Sequence, residues 1–196
     1  MHSVAATAPL KIDAATGLLV GARQVLSPHC DARPAGMKPD LLVVHGISLP
    51  PGEFGGPWID RLFTGTLAPE AHPYFAEIEG LIASAHALIR RDGQIVQYVP
   101  FGERAWHAGK SEYQGRAACN DFSIGIELEG ADGTPYTDAQ YQQLAALAAA
   151  LLATYDSLSA EHIAGHSDIA PGRKEDPWPT FDWPRFRALL KERWPR

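Results

Sequence analysis

The sequence predicts a single domain of the α/β (α+β) class, a central mixed β-sheet flanked by helices. Three observations predict it. Leu41-Leu42-Val43-Val44 is a short, apolar, β-branched run of the kind found in buried strands. Ser123 to Glu129 alternates, with Ile124, Ile126 and Leu128 on one face and Ser123, Gly125, Glu127 and Glu129 on the other. Thr137 to Tyr155 carries a helical stripe of Tyr141, Leu144, Ala148, Leu151 and Tyr155. Strands and helices thus interleave along a chain of 196 residues, a length that suits one domain.

The remaining elements follow in order. Residues 1–16 are expected to form a flexible N-terminal arm, leaving 17–196 as the folded domain. Leu18 to Val25 alternates enough for a strand, and Ser27 to Asp40 is rich in turn formers. Ser48 to Pro57 holds three prolines and three glycines, a long loop of the type that shapes sites. Trp58 to Phe63 and Tyr74 to Leu81 read as short helices. Ala85 to Arg90 and Gln94 to Val99 flank Arg91-Asp92-Gly93, a hairpin signal. Phe101 to Asn120 is irregular. Thr137 and Gln140 form a capping-box pattern for the long helix. His162 to Gly165 suggests a short strand, Gly165 to Trp183 a proline-braced loop, and Pro184 to Trp194 a closing helix with Phe186, Leu189 and Leu190 inward.

Composition narrows the function. The hydrophobic content of 45% supplies a core, and the net charge of −6 comes with no basic block, which argues against nucleic acid as a partner. Cys30 and Cys119 are too few for a disulfide framework and read as reduced thiols. The first residues lack the basic start and apolar run of a signal peptide. The most apolar stretch, Leu144 to Ala153, is far short of the ~20 residues that cross a bilayer. The protein is expected to work in the cytoplasm as a monomer, away from membranes.

Chemistry concentrates in three places. His45 ends the apolar strand; alone, such a His is more often a hydrogen-bonded core residue than a ligand. Gly165 to Pro177 crowds His166, Asp168, Arg173, Lys174, Glu175 and Asp176 onto a stretch whose prolines and glycines fix its path. A zinc site that must react with water takes about three protein ligands. His45, His166 and a carboxylate would supply them, and spacing alone does not choose between Asp168 and Asp176. Glu127, if it faces the same cleft, could take a proton from water, whereas Glu129 reads as a solvent-facing carboxylate. His86 reads as structural. His107 follows Trp106 and could line a cleft.

Longer blocks around these residues are LLVVHGISLPPGEFGG from Leu41, SAHALIRRDGQIVQYVP from Ser84, AWHAG from Ala105, NDFSIGIELEG from Asn120 and GHSDIAPGRKEDP from Gly165. In this order they resemble the zinc N-acetylmuramoyl-L-alanine amidases, in particular those acting on 1,6-anhydro-muramyl peptides in peptidoglycan recycling. The wider group includes phage amidases and peptidoglycan recognition proteins. The resemblance implies a mixed sheet with a zinc cleft. It implies His45, His166 and Asp176 as ligands of one Zn2+, Glu127 as proton shuttle and Lys174 as oxyanion stabiliser. Tyr74 resembles a position that assists catalysis, and Trp106, His107 and Arg116 are candidates to contact the muropeptide substrate. Two positions depart from the family pattern: Gly46 stands where an Asn is expected, and Ala118 where an Arg is. Rival readings are a fragment-binding module without catalysis, an exported amidase acting on intact wall, and a purely structural metal. The full ligand set with Glu127 and Lys174 speaks against the first. A structural zinc would call for four protein ligands.

Overall fold

A computed structural model of the chain describes residues 9–195. Its centre is a six-stranded sheet of β1 (Arg23–Gln24), β2 (Leu41–Ile47), β3 (Ala87–Ile89), β4 (Ile95–Gln97), β5 (Ser123–Glu129) and β6 (Ile163–Gly165). The strand order is β6-β2-β5-β3-β4-β1. The first four run parallel, β4 returns antiparallel to β3, and β1 pairs parallel with β4. The helices are α1 (Trp58–Phe63), α2 (Pro73–Glu77), α3 (Asp138–Thr154), α4 (His166–Ile169) and α5 (Trp183–Arg193). The fold is the predicted mixed sheet with helices.

Residue parity divides the two faces. Leu42, Val44, Ala87, Ile89, Ile124, Ile126 and Leu128 pack in one core with α3 and α5. Leu41 and Val43 pack on the opposite face with Ala108, Cys119 and Phe122. Leu88 and Val96 join α1 and α2 in a third cluster. Strand β5 is buried at all seven positions because both of its faces are covered, as is usual for parallel sheets. This corrects the expectation that Glu129 faces solvent. It is 2% exposed. Its carboxylate accepts from the Gly55 N–H at 2.6 Å, the Arg91 N–H at 3.2 Å and Arg90 Nη1 at 3.2 Å.

Helix α3 starts as expected. Thr137 Oγ1 accepts the Gln140 N–H at 3.2 Å, and Gln140 Oε1 accepts the Thr137 N–H at 3.1 Å. Gln140 then ties helix to sheet, donating to the Ile89 and Glu129 carbonyls at 3.1 and 2.8 Å. Asp182 caps α5 by accepting the Arg185 N–H at 2.9 Å, and Phe186 and Leu190 point inward.

Some boundaries shift. The expected strand 18–25 is split at Gly21, where φ is +80. Leu18–Leu19 pairs with Ile12–Asp13, and Arg23–Gln24 becomes β1. Of the expected arm, residues 1–8 lie outside the described residues, whereas Ile12 is buried and belongs to the fold. Helix α2 stops at Glu77, short of Leu81. The proline-braced loop after Gly165 opens with the single turn of α4. Cys30 and Cys119 are free thiols. Among the described residues no helix is long and apolar enough to cross a membrane.

Candidate active site

The carboxyl ends of parallel strands are where open α/β sheets place their ligands, and here three of them converge. His45 lies directly opposite Glu127 in the β2–β5 register, and β6 delivers His166 immediately after its last residue. Asp176 approaches from the loop beyond α4. His45 Nδ1 and His166 Nδ1 are 3.0 Å apart, and Asp176 Oδ2 is 3.4 and 3.1 Å from them. All three residues are buried, and their ligand atoms are grouped to bind a metal ion. The two carboxylates between which spacing left the choice open differ in their hydrogen bonding. Asp168 Oδ2 accepts the Gly165 N–H at 2.6 Å at the start of α4, while Asp176 meets the histidines.

The protons behind the site can be assigned from donor and acceptor inventories. Ser123 has one hydroxyl proton, and the Cys119 carbonyl takes it at 2.5 Å. His107 Nε2, 3.1 Å from Ser123 Oγ, must therefore be the donor in that contact. Burial, reinforced by the neighbouring histidines, holds the His107 pKa far below its usual value, so the ring is neutral and its Nδ1 is bare. That nitrogen accepts from His45 Nε2–H at 2.8 Å. Burial pushes the His45 pKa down to about 4, leaving its Nδ1 as a lone pair. His166 uses Nε2 to donate to the Ala108 carbonyl at 3.3 Å and turns Nδ1 to the same point. Two imidazole lone pairs and a carboxylate oxygen thus face one another, an arrangement that calls for a cation.

One face of β5 serves the whole arrangement. Ser123 holds His107, and Gly125 makes room for its ring: a Cβ at 125 would lie 2.4 Å from His107 Cγ. Glu127, two residues on, is buried, and its Oε2 has no hydrogen-bond partner among the described residues. Burial drives the Glu127 pKa well up; the negative charge of Asp176 adds to this, and Lys174 partly counters it. Strong perturbation in a cleft marks a candidate acid–base group.

These residues sit in a cleft of about 490 Å³. Tyr74, Trp106, Leu81 and Ile82 line it, as do Lys174, Arg173 and Trp178. Its size is within the ~300–1,000 Å³ typical of small-molecule sites. A more open groove of about 590 Å³ lies beside Arg23, Asp60 and Arg90. Its charges engage one another instead of converging on empty space: Asp60 pairs with Arg23 at 2.7 Å and with Arg90 at 3.4 Å.

The structure therefore brings together His45, His166, Asp176, Glu127 and Lys174, with Tyr74 and Trp106 on the cleft wall. His107 lines the cleft beside Trp106, as expected, and has a further part. Both ring nitrogens are engaged behind His45, so it supports a ligand. Arg116 stands apart from the cleft, paired with Asp40 at 2.7 Å and lying 3.7 Å over the Phe122 ring. His86 is structural as expected: its Nδ1 accepts the Gly125 N–H, and Nε2 reaches the Glu103 carbonyl, both at 3.0 Å. Sequence reading passed over Ser123, Gly125 and Trp178. The strand alternation that groups Ser123 and Gly125 with Glu127 was the available signal for the first two.

The comparisons with known proteins agree with this geometry. The family model described as N-acetylmuramoyl-L-alanine amidase matches residues 35–179. The 1,6-anhydro-N-acetylmuramyl-L-alanine amidase AmpD of Salmonella typhimurium (strain SL1344) is 70% identical over 174 residues, 89% of this chain and 92% of that protein. A crystal structure of a selenomethionine AmpD derivative superposes with a TM-score of 0.88 at 66% identity, covering 91% of this chain and 98% of that one. The Escherichia coli amidase AmiD, solved with anhydro-N-acetylmuramic acid-L-Ala-D-γ-Glu-L-Lys, superposes with a TM-score of 0.56 at 31% identity, covering 80% of this chain and 61% of that one. With its sheet, its buried His-His-Asp group and a matching family model over most of its length, the chain belongs to the N-acetylmuramoyl-L-alanine amidase family.

Proposed function

We propose that this protein is a zinc amidase that hydrolyses the bond between 1,6-anhydro-N-acetylmuramic acid and L-alanine in muropeptides released for recycling in the cytoplasm. The observation that carries the reading is the convergence of His45 Nδ1, His166 Nδ1 and Asp176 Oδ2 beside the unpartnered Oε2 of Glu127. Ligand bonds of ~2.0–2.1 Å at a tetrahedral angle space ligand atoms by ~3.3–3.4 Å. The three separations of 3.0, 3.1 and 3.4 Å fit such a triangle. Three protein ligands leave one tetrahedral position for water, as a catalytic zinc requires and a structural one does not. The substrate class is supported by the amidase AmpD at 70% identity and by the muropeptide held in AmiD.

Bound zinc would supply Lewis-acid polarisation and lower the pKa of a coordinated water towards ~7. The chain's own groups do the rest. Glu127 receives the proton of the attacking water at its free carboxylate oxygen and returns it to the departing alanine nitrogen. A positioned acid–base group of this kind contributes ~10²–10⁴-fold. Lys174, exposed at the cleft rim, places positive charge beside the carbonyl oxygen as it becomes anionic. Tyr74 and Trp106 bound the space in which the amide is held. The test is incubation with anhydro-muramyl-L-Ala-γ-D-Glu-L-Lys. Release of free tripeptide and the intact anhydro-sugar is expected; no release by the zinc-loaded protein would refute the reading.

A further inference from the structure

We infer that Trp178 is a specificity-determining contact: its indole forms the wall of the cleft over Gly46 and stacks on the muramyl sugar. The inference rests on the amidase reading above. Gly46 follows the ligand His45 directly. A Cβ there would lie 2.3 Å from Trp178 Cζ3, 2.9 Å from Cε3 and 2.4 Å from the Tyr136 hydroxyl. No side chain fits at 46 while the indole lies where it does, so glycine and tryptophan form an interlocked pair. That accounts for Gly46 where the family resemblance would place an Asn.

Trp178 is held in an unusual conformation to reach this place. Its φ is +62, a region bulky residues avoid unless the surrounding structure imposes it, and such residues gather at functional sites. The backbone around it is pinned. The Trp178 N–H donates to the Glu175 carbonyl at 3.0 Å, and the Tyr136 hydroxyl donates to the Pro177 carbonyl at 3.1 Å. The indole is half-buried and shares the cleft with Glu127, Asp176 and Lys174. One part packs on the core and the rest faces the space where substrate must lie.

Charge divides the substrate between the walls. The peptide of the muropeptide seen in AmiD carries a γ-linked glutamate and is acidic, which suits the exposed cations Arg173 and Lys174. The anhydro-sugar presents uncharged C–H faces, which suit an aromatic plane.

The test uses Trp178→Leu, which keeps apolar volume without a ring, and Trp178→Phe, which restores one. KM for anhydro-muramyl-tripeptide is expected to rise about tenfold in Trp178→Leu, with kcat within about threefold. Zinc content and thermal midpoint should be unchanged, and Trp178→Phe should recover most of the loss. In calorimetry, N-acetyl-1,6-anhydromuramic acid should bind Trp178→Leu about tenfold more weakly than wild type, with tripeptide affinity unchanged. Unchanged KM and sugar affinity would overturn the inference, and so would a loss confined to the tripeptide or to zinc content. A wild-type protein that binds neither fragment and cleaves nothing would overturn the amidase reading itself, and this inference with it.

Discussion

Replacing His107 by Phe tests whether the assigned protons matter to metal binding. Phe fills the socket opened by Gly125, so the packing around the ring is kept while both nitrogens are lost. His45 Nε2–H then loses its acceptor at 2.8 Å in a buried place. An unsatisfied buried donor costs ~1–3 kcal/mol, and at ~1.4 kcal/mol per decade this is a site weaker by about fivefold to more than a hundredfold. Loss of an outer hydrogen-bond partner of a metal-binding His independently suggests ~10–100-fold. Ser123→Ala should give a smaller loss in the same direction. It frees His107 to carry its proton on Nδ1, which would push the proton of His45 onto its metal-facing nitrogen. The assay is zinc affinity by competition with a chromogenic chelator, with folding checked by circular dichroism. Folded His107→Phe that holds zinc within about twofold of wild type would refute the relay.

Other consequences are separable. Glu127→Gln should retain one zinc per chain and lose ~10²–10⁴-fold in kcat; full turnover would remove Glu127 from proton transfer. His166→Ala should lose the metal, as read by elemental analysis, and retention would show that the ligand set is wrong. His86 is pushed down to about 3 by burial and by the nearby Arg33 guanidinium, against ~6.5 unfolded. Its folded value lies below its unfolded one, so its contribution is complete above pH ~6.5 and drains away as pH falls towards 3. This amounts to ~2 kcal/mol between pH 7 and 5, so urea unfolding of His86→Gln should show a correspondingly flatter pH dependence. An equal slope would contradict the assignment. Gly46→Ala drives a methyl into Trp178 and Tyr136 and should cost ~1–3 kcal/mol of stability, visible as a lowered thermal midpoint.

Much of the site was legible because its residues break local patterns. His45 is polar at the end of an apolar run, Glu127 alternates with isoleucine and leucine, and His166 follows a short strand into a proline-braced loop. The long helix was legible from its Thr137–Gln140 box, a local interaction that needs no tertiary context. Relations between distant segments were not legible. Asp168 and Asp176 have the same chemistry, and only the turn of α4 commits Asp168 to the Gly165 N–H. Glu129 reads as solvent-facing until β3 and the loop at Gly55 are seen to surround it. His107 reads as a cleft residue and is one, but its packing over Gly125 and its contact with His45 join three distant segments and could not be read locally. Gly46 and Trp178 are 132 positions apart, and neither explains the other until they meet.

The central claim is that His45, His166 and Asp176 hold a catalytic zinc with Glu127 beside it. The most direct measurement is tripeptide release from anhydro-muramyl-tripeptide by the protein as purified, after chelation, and after zinc is restored. The account predicts about one zinc per chain, activity lost with the metal and regained with it. Undiminished release from protein shown to be metal-free would contradict it.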